Sequence, residues 1–251
     1  MMKLEGIDLV MELIVKSNYI VALTGAGIST NSGIPDFRGP KGLYARKDIP
    51  FERIFSIEYF RENPSFFYEN FAEVLNLIIN ALPNKGHYFL KKLEDLGKLK
   101  CVVTQNIDGL HRKAKNSNVI ELHGNLEKFV CINCLKEFPS PSEEYNNFLT
   151  LAMNKKVPEC PECKGILKPD VVFFGEYVHD LEKALTEVQK ADLLITLGTS
   201  LTVYPASTLP SYIGEKAKLI IINNQETPYD EVATVVINED IDTVVDKLKI
   251  L

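Results

Sequence analysis

Short apolar runs, many of them rich in β-branched residues, recur along the chain and alternate with stretches of helical periodicity. The runs cover residues 19–23, 101–103, 118–122, 170–174, 193–197, 218–222 and 232–237. Between them, residues 4–16 place their apolar side chains on one helical stripe, and residues 180–190 begin with Asp180, a residue type that caps helices. Because buried strands that alternate with helices form parallel sheets, the pattern predicts a Rossmann-like, doubly wound α/β fold.

Two stretches depart from this alternation and predict a second, smaller domain. Residues 40–83 carry aromatic side chains at helical spacing, which indicates a helical module. Residues 126–168 contain four paired cysteines and a polar segment with two prolines. The predicted organisation is a Rossmann-like domain at 1–39, 84–125 and 169–251, a helical module at 40–83, and a zinc-binding module at 126–168.

The paired cysteines have the spacing of a metal site. They form two CxxC pairs, and each such turn can present two thiolates to one side of a tetrahedral Zn²⁺ at about 2.3 Å. Four thiolates leave no open coordination position, so the ion is expected to be structural. The predicted ligands are Cys131, Cys134, Cys160 and Cys163. The fifth cysteine, Cys101, lies in an apolar run and is interpreted as a core residue.

Composition and charge narrow the class of protein. The chain has 251 residues, 45% hydrophobic and 25% charged, which is ordinary globular usage and excludes disordered and collagen-like classes. No apolar stretch reaches the roughly 18 to 20 residues of a membrane span, and the N-terminus lacks a signal-peptide pattern. We therefore expect a soluble, cytoplasmic protein with reduced cysteines. A net charge of −6 argues against autonomous nucleic-acid binding.

Small and hydrogen-bonding residues follow the apolar runs. They stand at 24–27, 104–108, 123–124, 174–176, 198–200 and 223–224. Because ligands bind outside the carboxyl ends of parallel strands, these segments are expected to line one cleft.

The first of these segments resembles the start of a dinucleotide-binding loop. Gly25, Ala26 and Gly27 follow the first apolar run, but Thr30 stands where a third glycine is expected. Backbone amides at this turn would favour a diphosphate, with Arg38 as a charge partner. A glycine turn that binds no ligand is the alternative.

Candidate catalytic groups lie in the same segments. His123 ends a run, precedes Gly124, and carries an imidazole that can accept a proton near neutral pH. Its alternative is a hydrogen-bonded structural role. Asp36, Asn106 and Asp108 could steady a sugar cation or hold an amide, and turn or cap chemistry is their alternative. His87 is interpreted as a helix-start residue.

These strings together resemble the sirtuin family of NAD-dependent protein lysine deacylases, in its short, prokaryotic form, through nearly the whole chain. The resemblance rests on GAGIS at 25–29, GIPDFR at 33–38, TQNIDGLH at 104–111, HG at 123–124, the two CxxC pairs, FFGE at 173–176 and GTS at 198–200.

The resemblance implies that NAD is bound and consumed, with His123 and Asn106 as catalytic residues. Asn106, Ile107 and Asp108 would surround the nicotinamide amide, and His123 would take a proton from the ribose hydroxyls after the acyl oxygen of the modified lysine has displaced nicotinamide. The products would be free lysine, nicotinamide and O-acetyl-ADP-ribose. The implied NAD contacts are Gly25, Ala26, Gly27, Thr30, Asp36, Phe37, Arg38, Gln105, Asn106, Ile107, Asp108, His123, Gly198, Thr199, Ser200, Asn223 and Ile241.

The resemblance also implies an acetylated-lysine protein or peptide as substrate, bound as an added strand between the two domains. The implied contacts are Val172, Phe174, Gly175, Glu176 and Val203. Relatives that prefer acidic acyl groups carry a Tyr-x-x-Arg pair, but here Tyr68 is followed by Phe71, so we expect acetyl or other apolar acyl groups. An NAD glycohydrolase, a mono-ADP-ribosyltransferase and a non-catalytic NAD sensor are the alternatives.

Overall fold

The computed structural model describes residues 6–36 and 51–248. Two of the implied NAD contacts, Phe37 and Arg38, therefore lie outside the described residues.

The described strands form a six-stranded parallel sheet and a three-stranded antiparallel sheet. In chain order they are β1 (Ile20–Thr24), β2 (Leu99–Thr104), β3 (Val119–Glu121), β4 (Gly124–Cys131), β5 (Glu137–Pro139), β6 (Leu167–Val171), β7 (Leu193–Leu197), β8 (Lys218–Ile222) and β9 (Val235–Ile237). The larger sheet has the order β3-β2-β1-β7-β8-β9, with all neighbours parallel. This is the strand order of a doubly wound Rossmann sheet, so the predicted fold class is confirmed.

Helices cover both faces of the parallel sheet. In chain order the helices are α1 (Gly6–Lys16), α2 (Phe51–Ile54), α3 (Ile57–Glu62), α4 (Pro64–Asn80), α5 (Lys85–Asp95), α6 (Leu110–Lys113), α7 (Glu143–Met153), α8 (Leu181–Lys190) and α9 (Ile241–Leu248). Helices α1, α5 and α9 pack on one face, and α8 packs on the other with the 3₁₀-helix Ala206–Tyr212. Among the described helices, none is both long enough and apolar enough to span a bilayer.

Alternation along β1 shows why the sheet has two cores. Ile20 and Ala22 point to the core under α1, α5 and α9, whereas Val21 and Leu23 point to the core under α8. Successive strand side chains lie on opposite faces, so a strand that is covered on both sides must be apolar throughout. All five residues of β1 are buried.

The smaller domain has one apolar core of its own. Helices α2, α3, α4 and α7 pack against the antiparallel sheet, whose order is β5-β4-β6. The rings of Phe60 and Phe67 lie 5.4 and 5.0 Å from that of Phe173, which is next to β6 in sequence. The helical and cysteine-bearing segments therefore share one core. Strands β4 and β6 run across the predicted domain boundaries at 125/126 and 168/169.

Two sequence expectations differ from the structure. The run at 170–174 was expected to be a strand of the parallel sheet, but β6 ends at Val171 and pairs antiparallel with β4. Phe173 is apolar because it fills the core of the smaller domain. Asp180 precedes α8, but its side chain makes no capping hydrogen bond and pairs with Lys183 at 2.7 Å instead.

Candidate active site

A cleft of about 1130 Å³ lies at the carboxyl edge of the parallel sheet. Loops after all six of its strands contribute to the lining, and the cleft spans the point between β1 and β7 where the strand order reverses. Its lining includes most of the predicted site residues, namely Gly25, Ala26, Gly27, Thr30, Asp36, Gln105, Asn106, Ile107, His123, Val172, Phe174, Gly175, Glu176, Gly198, Thr199, Ser200, Val203, Asn223 and Ile241.

The glycines at the start of the cleft allow two loops to touch. A Cβ atom on Gly27 would lie 2.7 Å from the Cα of Gly198, and one on Gly25 would lie 2.8 Å from the Gly198 carbonyl oxygen. The Gly27 N–H donates to that oxygen at 2.8 Å. The loops after β1 and β7 are thus held together by backbone contact, and the Gly27 amide is not free to bind a diphosphate.

Asn106 is held at both its backbone and its side chain. Its N–H donates to the Thr104 hydroxyl at 3.0 Å, and its carboxamide nitrogen donates to the Gly25 carbonyl and the Ser29 hydroxyl, each at 3.1 Å. The carboxamide nitrogen is therefore directed away from the cleft, and the orientation of the amide is fixed.

Asp108 lies behind the cleft rather than on its surface. Its carboxylate accepts hydrogen bonds from the Ser29 hydroxyl at 2.7 Å and from the Leu110 N–H at 2.9 Å. Burial raises the pKa of this carboxyl group, while the same hydrogen bonds lower it. Among the described residues that line the cleft, Asp108 does not appear. It acts on the site through Ser29, which the sequence argument named only as part of the GAGIS string.

Two buried threonine hydroxyl groups and His111 form a hydrogen-bonded chain that ends at the backbone N–H of Asn106. The Thr24 hydroxyl donates to the Thr104 hydroxyl at 2.8 Å, and Nε2 of His111 lies 2.9 Å from the Thr24 oxygen. Because the Thr24 proton is already used, this Nε2 is the donor. His87 packs against His111 with ring centroids 4.9 Å apart. The predicted helix-start role of His87 is confirmed, since it forms a capping box with Asn84.

His123 lies at the end of β3 with its imidazole in one defined tautomer. Nδ1 is 2.8 Å from the Gln105 carbonyl oxygen, which can only accept, so Nδ1 carries the proton. Nε2 has no partner among the described residues and carries a lone pair. Burial lowers the pKa of His123, and the bond to Gln105 partly opposes this shift. The ring is therefore neutral and able to accept a proton at pH 7.

Gly124 is required by the close approach of β4 and β6. Its φ is +73°, and a Cβ atom there would lie 1.9 Å from the Asp170 carbonyl oxygen. The glycine after His123 thus joins the carboxyl edge of the large sheet to the smaller domain.

The loop between β6 and α8 forms the other wall of the cleft. The Val172 N–H donates to the His123 carbonyl at 2.9 Å. The N–H of Phe174 donates to Phe55 O at 2.7 Å, and its C=O accepts from Ile57 N at 3.1 Å. The backbone groups of Gly175 have no backbone partner among the described residues, so they are available to an added strand. Glu176 lines the cleft, but Oε2 of its carboxylate accepts a hydrogen bond at 2.9 Å from Lys168, which is not among the lining residues.

The four paired cysteines form one cluster in the smaller domain. Their sulfur atoms all lie within 4.8 Å of one another, with Sγ–Sγ distances of 3.4 Å for Cys131 and Cys163 and 3.8 Å for Cys134 and Cys160. Four Zn–S bonds of about 2.3 Å in a tetrahedron put the sulfurs about 3.8 Å apart. The cluster thus fits a structural zinc ion.

Asp240 was missed by the sequence argument. It lines the cleft beside Ile241 and accepts a hydrogen bond from the Asn31 amide at 2.8 Å. No motif marks it, because it lies just before α9 in an ordinary capping position, where it accepts from the Thr243 N–H.

Comparison with known proteins points to one family. The Sir2 family model matches residues 25–205. A protein of Sulfurisphaera tokodaii named NAD-dependent protein deacetylase is 45% identical over 236 residues, which cover 94% of this chain and 91% of that protein. A protein of the same name from Sulfolobus acidocaldarius is 47% identical over 237 residues, which cover 93% of this chain and 90% of that protein.

Solved structures agree in fold. A Sir2 complex with deacetylated p53 peptide and 3'-O-acetyl ADP-ribose matches with a TM-score of 0.86 and 38% identity over 96% of each chain. A Sir2 complex with p53 peptide and NAD⁺ matches with a TM-score of 0.84, also at 38% identity and 96% coverage of each chain. With the family model over most of the chain and relatives of this similarity along nearly its whole length, the chain belongs to the Sir2 family.

Proposed function

We propose that this Sir2 family member is an NAD-dependent protein lysine deacetylase, that its cleft binds NAD and an acetyl-lysine side chain together, and that His123 is the general base. The observation that carries the assignment of His123 is its hydrogen bond to the Gln105 carbonyl. This bond leaves an unprotonated Nε2 on a ring that lines the cleft.

NAD lies across the reversal point of the sheet in this proposal. When bound, it supplies the anomeric carbon to which the acetyl oxygen becomes bonded as nicotinamide leaves. The loops at 25–27 and 198–200 form the floor of its site, and Asn106 and Ile107 contact the nicotinamide end. Gln105 joins the two sides of the floor, since its amide nitrogen donates to the Thr199 hydroxyl at 2.8 Å.

His123 accepts the proton that must leave a ribose hydroxyl before that hydroxyl can attack the transferred acetyl carbon. Burial keeps the imidazole neutral, and the Gln105 carbonyl stabilises the positive charge that the ring acquires. General base catalysis by a positioned side chain contributes roughly 100- to 10,000-fold.

The acyl-lysine chain lies along an apolar wall. Phe55, Val171, Val172 and Phe173 line this part of the cleft. The Tyr68 hydroxyl donates to the Leu167 carbonyl at 2.7 Å inside the core, and neither Tyr68 nor Phe71 is among the described lining residues. None of the four wall residues is cationic, and the Lys168 ammonium behind the wall is already paired with Glu176. A carboxylated acyl group would therefore be buried unpaired, so acetyl is preferred.

The proposed domain bounds, cellular location and lack of nucleic-acid binding rest on the composition and on the order of the modules along the chain. The proposed NAD-binding domain remains 1–39, 84–125 and 169–251, except that the end of β6 and Phe173 pack in the smaller lobe. The helical module at 40–83 and the zinc module at 126–168 make up that lobe. None of the five cysteines is in a disulfide, which suits a reducing, cytoplasmic compartment. The acidic net charge disfavours autonomous nucleic-acid binding.

Mass spectrometry of an acetyl-lysine peptide incubated with the protein, with and without NAD, tests this function. We expect free lysine and O-acetyl-ADP-ribose only when NAD is present. Release of nicotinamide without peptide would favour a glycohydrolase, and a peptide heavier by one ADP-ribose would favour a transferase. Tight NAD binding with no turnover would leave only an NAD sensor.

A further inference from the structure

A buried lysine lies directly behind the wall that the proposed acetyl-lysine chain contacts. Lys168 is in β6 and only 8% of it is exposed. Lysine is almost never buried without a partner, so its surroundings explain why it is tolerated there.

Among the described residues, the hydrogen bonds and the ring contact of the Lys168 ammonium group are with the loop at 171–176. Nζ donates to the Val171 carbonyl at 2.6 Å and to Oε2 of Glu176 at 2.9 Å, and it lies 4.3 Å from the centroid of the Phe173 ring. The ammonium group therefore makes two hydrogen bonds and one cation–π contact, which together compensate for its burial.

Glu176 is the second residue that holds the loop in place. The carboxylate oxygen that accepts from Lys168 also accepts the Phe173 N–H at 2.8 Å. One ammonium and one carboxylate therefore hold the start, the middle and the end of the loop. Such a buried pair is costly to break, because removing one partner leaves the other charge uncompensated.

The same loop contacts both the proposed general base and the helical module. Val172 N bonds to His123 O, and Phe174 bonds through its backbone to Phe55 and Ile57. A change in loop shape would displace the apolar wall while leaving the described parts of the loops after β1, β2 and β7 in place, since the hydrogen bonds and the ring contact of Lys168 are with Val171, Phe173 and Glu176.

We propose that Lys168, together with Glu176, is a positioning residue that shapes the 171–176 loop for the acetyl-lysine chain. The proposal rests on the deacetylase function above. It gives Glu176 a different role from the direct peptide contact that the resemblance implies, because its carboxylate is engaged behind the loop.

Steady-state kinetics of Lys168→Met tests the proposal. Methionine has a similar length and fills the same space without the charge. We expect KM for an acetyl-lysine peptide to rise at least tenfold, while the dissociation constant for NAD measured without peptide stays within twofold of wild type. If Lys168→Met does not fold, Glu176→Gln gives the same readout, because it keeps an acceptor for the Phe173 N–H but removes the ion pair.

Lys128→Met is the matched control. Lys128 lies on the neighbouring strand β4 and forms ion pairs with Glu137 at 2.6 Å and Asp170 at 3.5 Å, but it has no contact with the loop. We expect its peptide KM to be unchanged. A peptide KM within twofold of wild type for Lys168→Met, or equal weakening of peptide and NAD binding, overturns the proposal. No NAD-dependent deacetylation by the wild-type protein would instead refute the proposed function.

Discussion

The two domains build their halves of the cleft from different interactions. In the parallel-sheet domain, backbone contacts such as Gly27 N to Gly198 O hold the loops, and an apolar core supports the sheet on each face. The smaller domain has a single core, a sheet of only three described strands, and charged groups at its key positions. These groups are the cysteine cluster and the Lys168–Glu176 pair.

This contrast indicates that the NAD half of the site is fixed by topology and the peptide half by ions. A two-faced sheet buries enough apolar surface to hold its loops without help, whereas a small layered domain gains much of its stability from a bound metal. Perturbing ions should therefore affect the smaller domain first.

Loss of zinc should have the largest effect. Zinc contributes roughly 10 to 16 kcal/mol to the folding of zinc-finger peptides, comparable to the stability of a whole domain of about 5 to 15 kcal/mol. We expect Cys160→Ala to bind no zinc and to lose hydrogen-exchange protection in β4 and β6, with β1, β7 and β8 still protected. Cys101→Ala, at a buried cysteine of β2 far along the chain from the cluster, is the control and should keep one equivalent of zinc. Equal loss of protection in both sheets would remove the contrast between the domains.

The difference in kcat/KM between acetyl- and succinyl-lysine peptides should be the second largest effect. Burying an uncompensated carboxylate costs several kcal/mol, so we expect kcat/KM for a succinyl-lysine peptide to be at least about 100-fold below that for the acetyl-lysine peptide. A kinetic preference for succinyl would mean that a cation reaches the apolar wall.

Acid should destabilise the parallel-sheet domain through its buried histidines. Burial lowers the pKa of His87 to about 4, so between pH 6.5 and 4 the unfolded chain binds a proton that the folded chain does not. Stability is therefore lost as pH falls through this window, by up to about 3 kcal/mol from His87 alone. Denaturant unfolding at pH 7 and pH 5 should show this slope and its reduction in His87→Asn. An unfolding free energy that is flat over this range would contradict the assignment.

Removing one buried hydroxyl group tests the support beneath Asn106. Thr104→Val keeps the shape of the side chain but deprives the Asn106 N–H and the Thr24 hydroxyl of their acceptor, and an unsatisfied buried group costs about 1 to 3 kcal/mol. We expect peptide-dependent nicotinamide release to fall roughly 5- to 100-fold. Thr196→Val, a buried threonine of β7 bonded only weakly to Ile220 O at 3.4 Å, should leave turnover unchanged. If both variants behave alike, the hydroxyl chain has no role in catalysis.

Sequence patterns predicted the large sheet better than the smaller domain for a physical reason. A strand that is buried on both faces must be apolar throughout, so β1, β7 and β8 match their runs to within a residue. The run at 170–174 is equally apolar but packs in the other core, because an apolar run does not specify which core it fills. The cysteine cluster was predicted because its ligand chemistry fixes its spacing.

Positions that depend on partners distant in the chain were not predictable. Lysine is normally exposed, so nothing in the sequence marks Lys168 as buried beneath the cleft wall. Asp108 and Ser29 are 79 residues apart, and only the pairing of β1 with β2 brings them together. Asp180 has the residue type of a helix cap, but its backbone φ of +49° puts the side chain out of reach of the helix amides.

The most direct test of the proposed mechanism is single-turnover deacetylation by His123→Ala, with NAD binding measured on the same sample. If Nε2 of His123 is the base, removal of the acetyl group should slow by about 100- to 10,000-fold while the dissociation constant for NAD changes by less than about threefold. Near-normal deacetylation by this variant would contradict the account, because no other imidazole among the described residues lines the cleft.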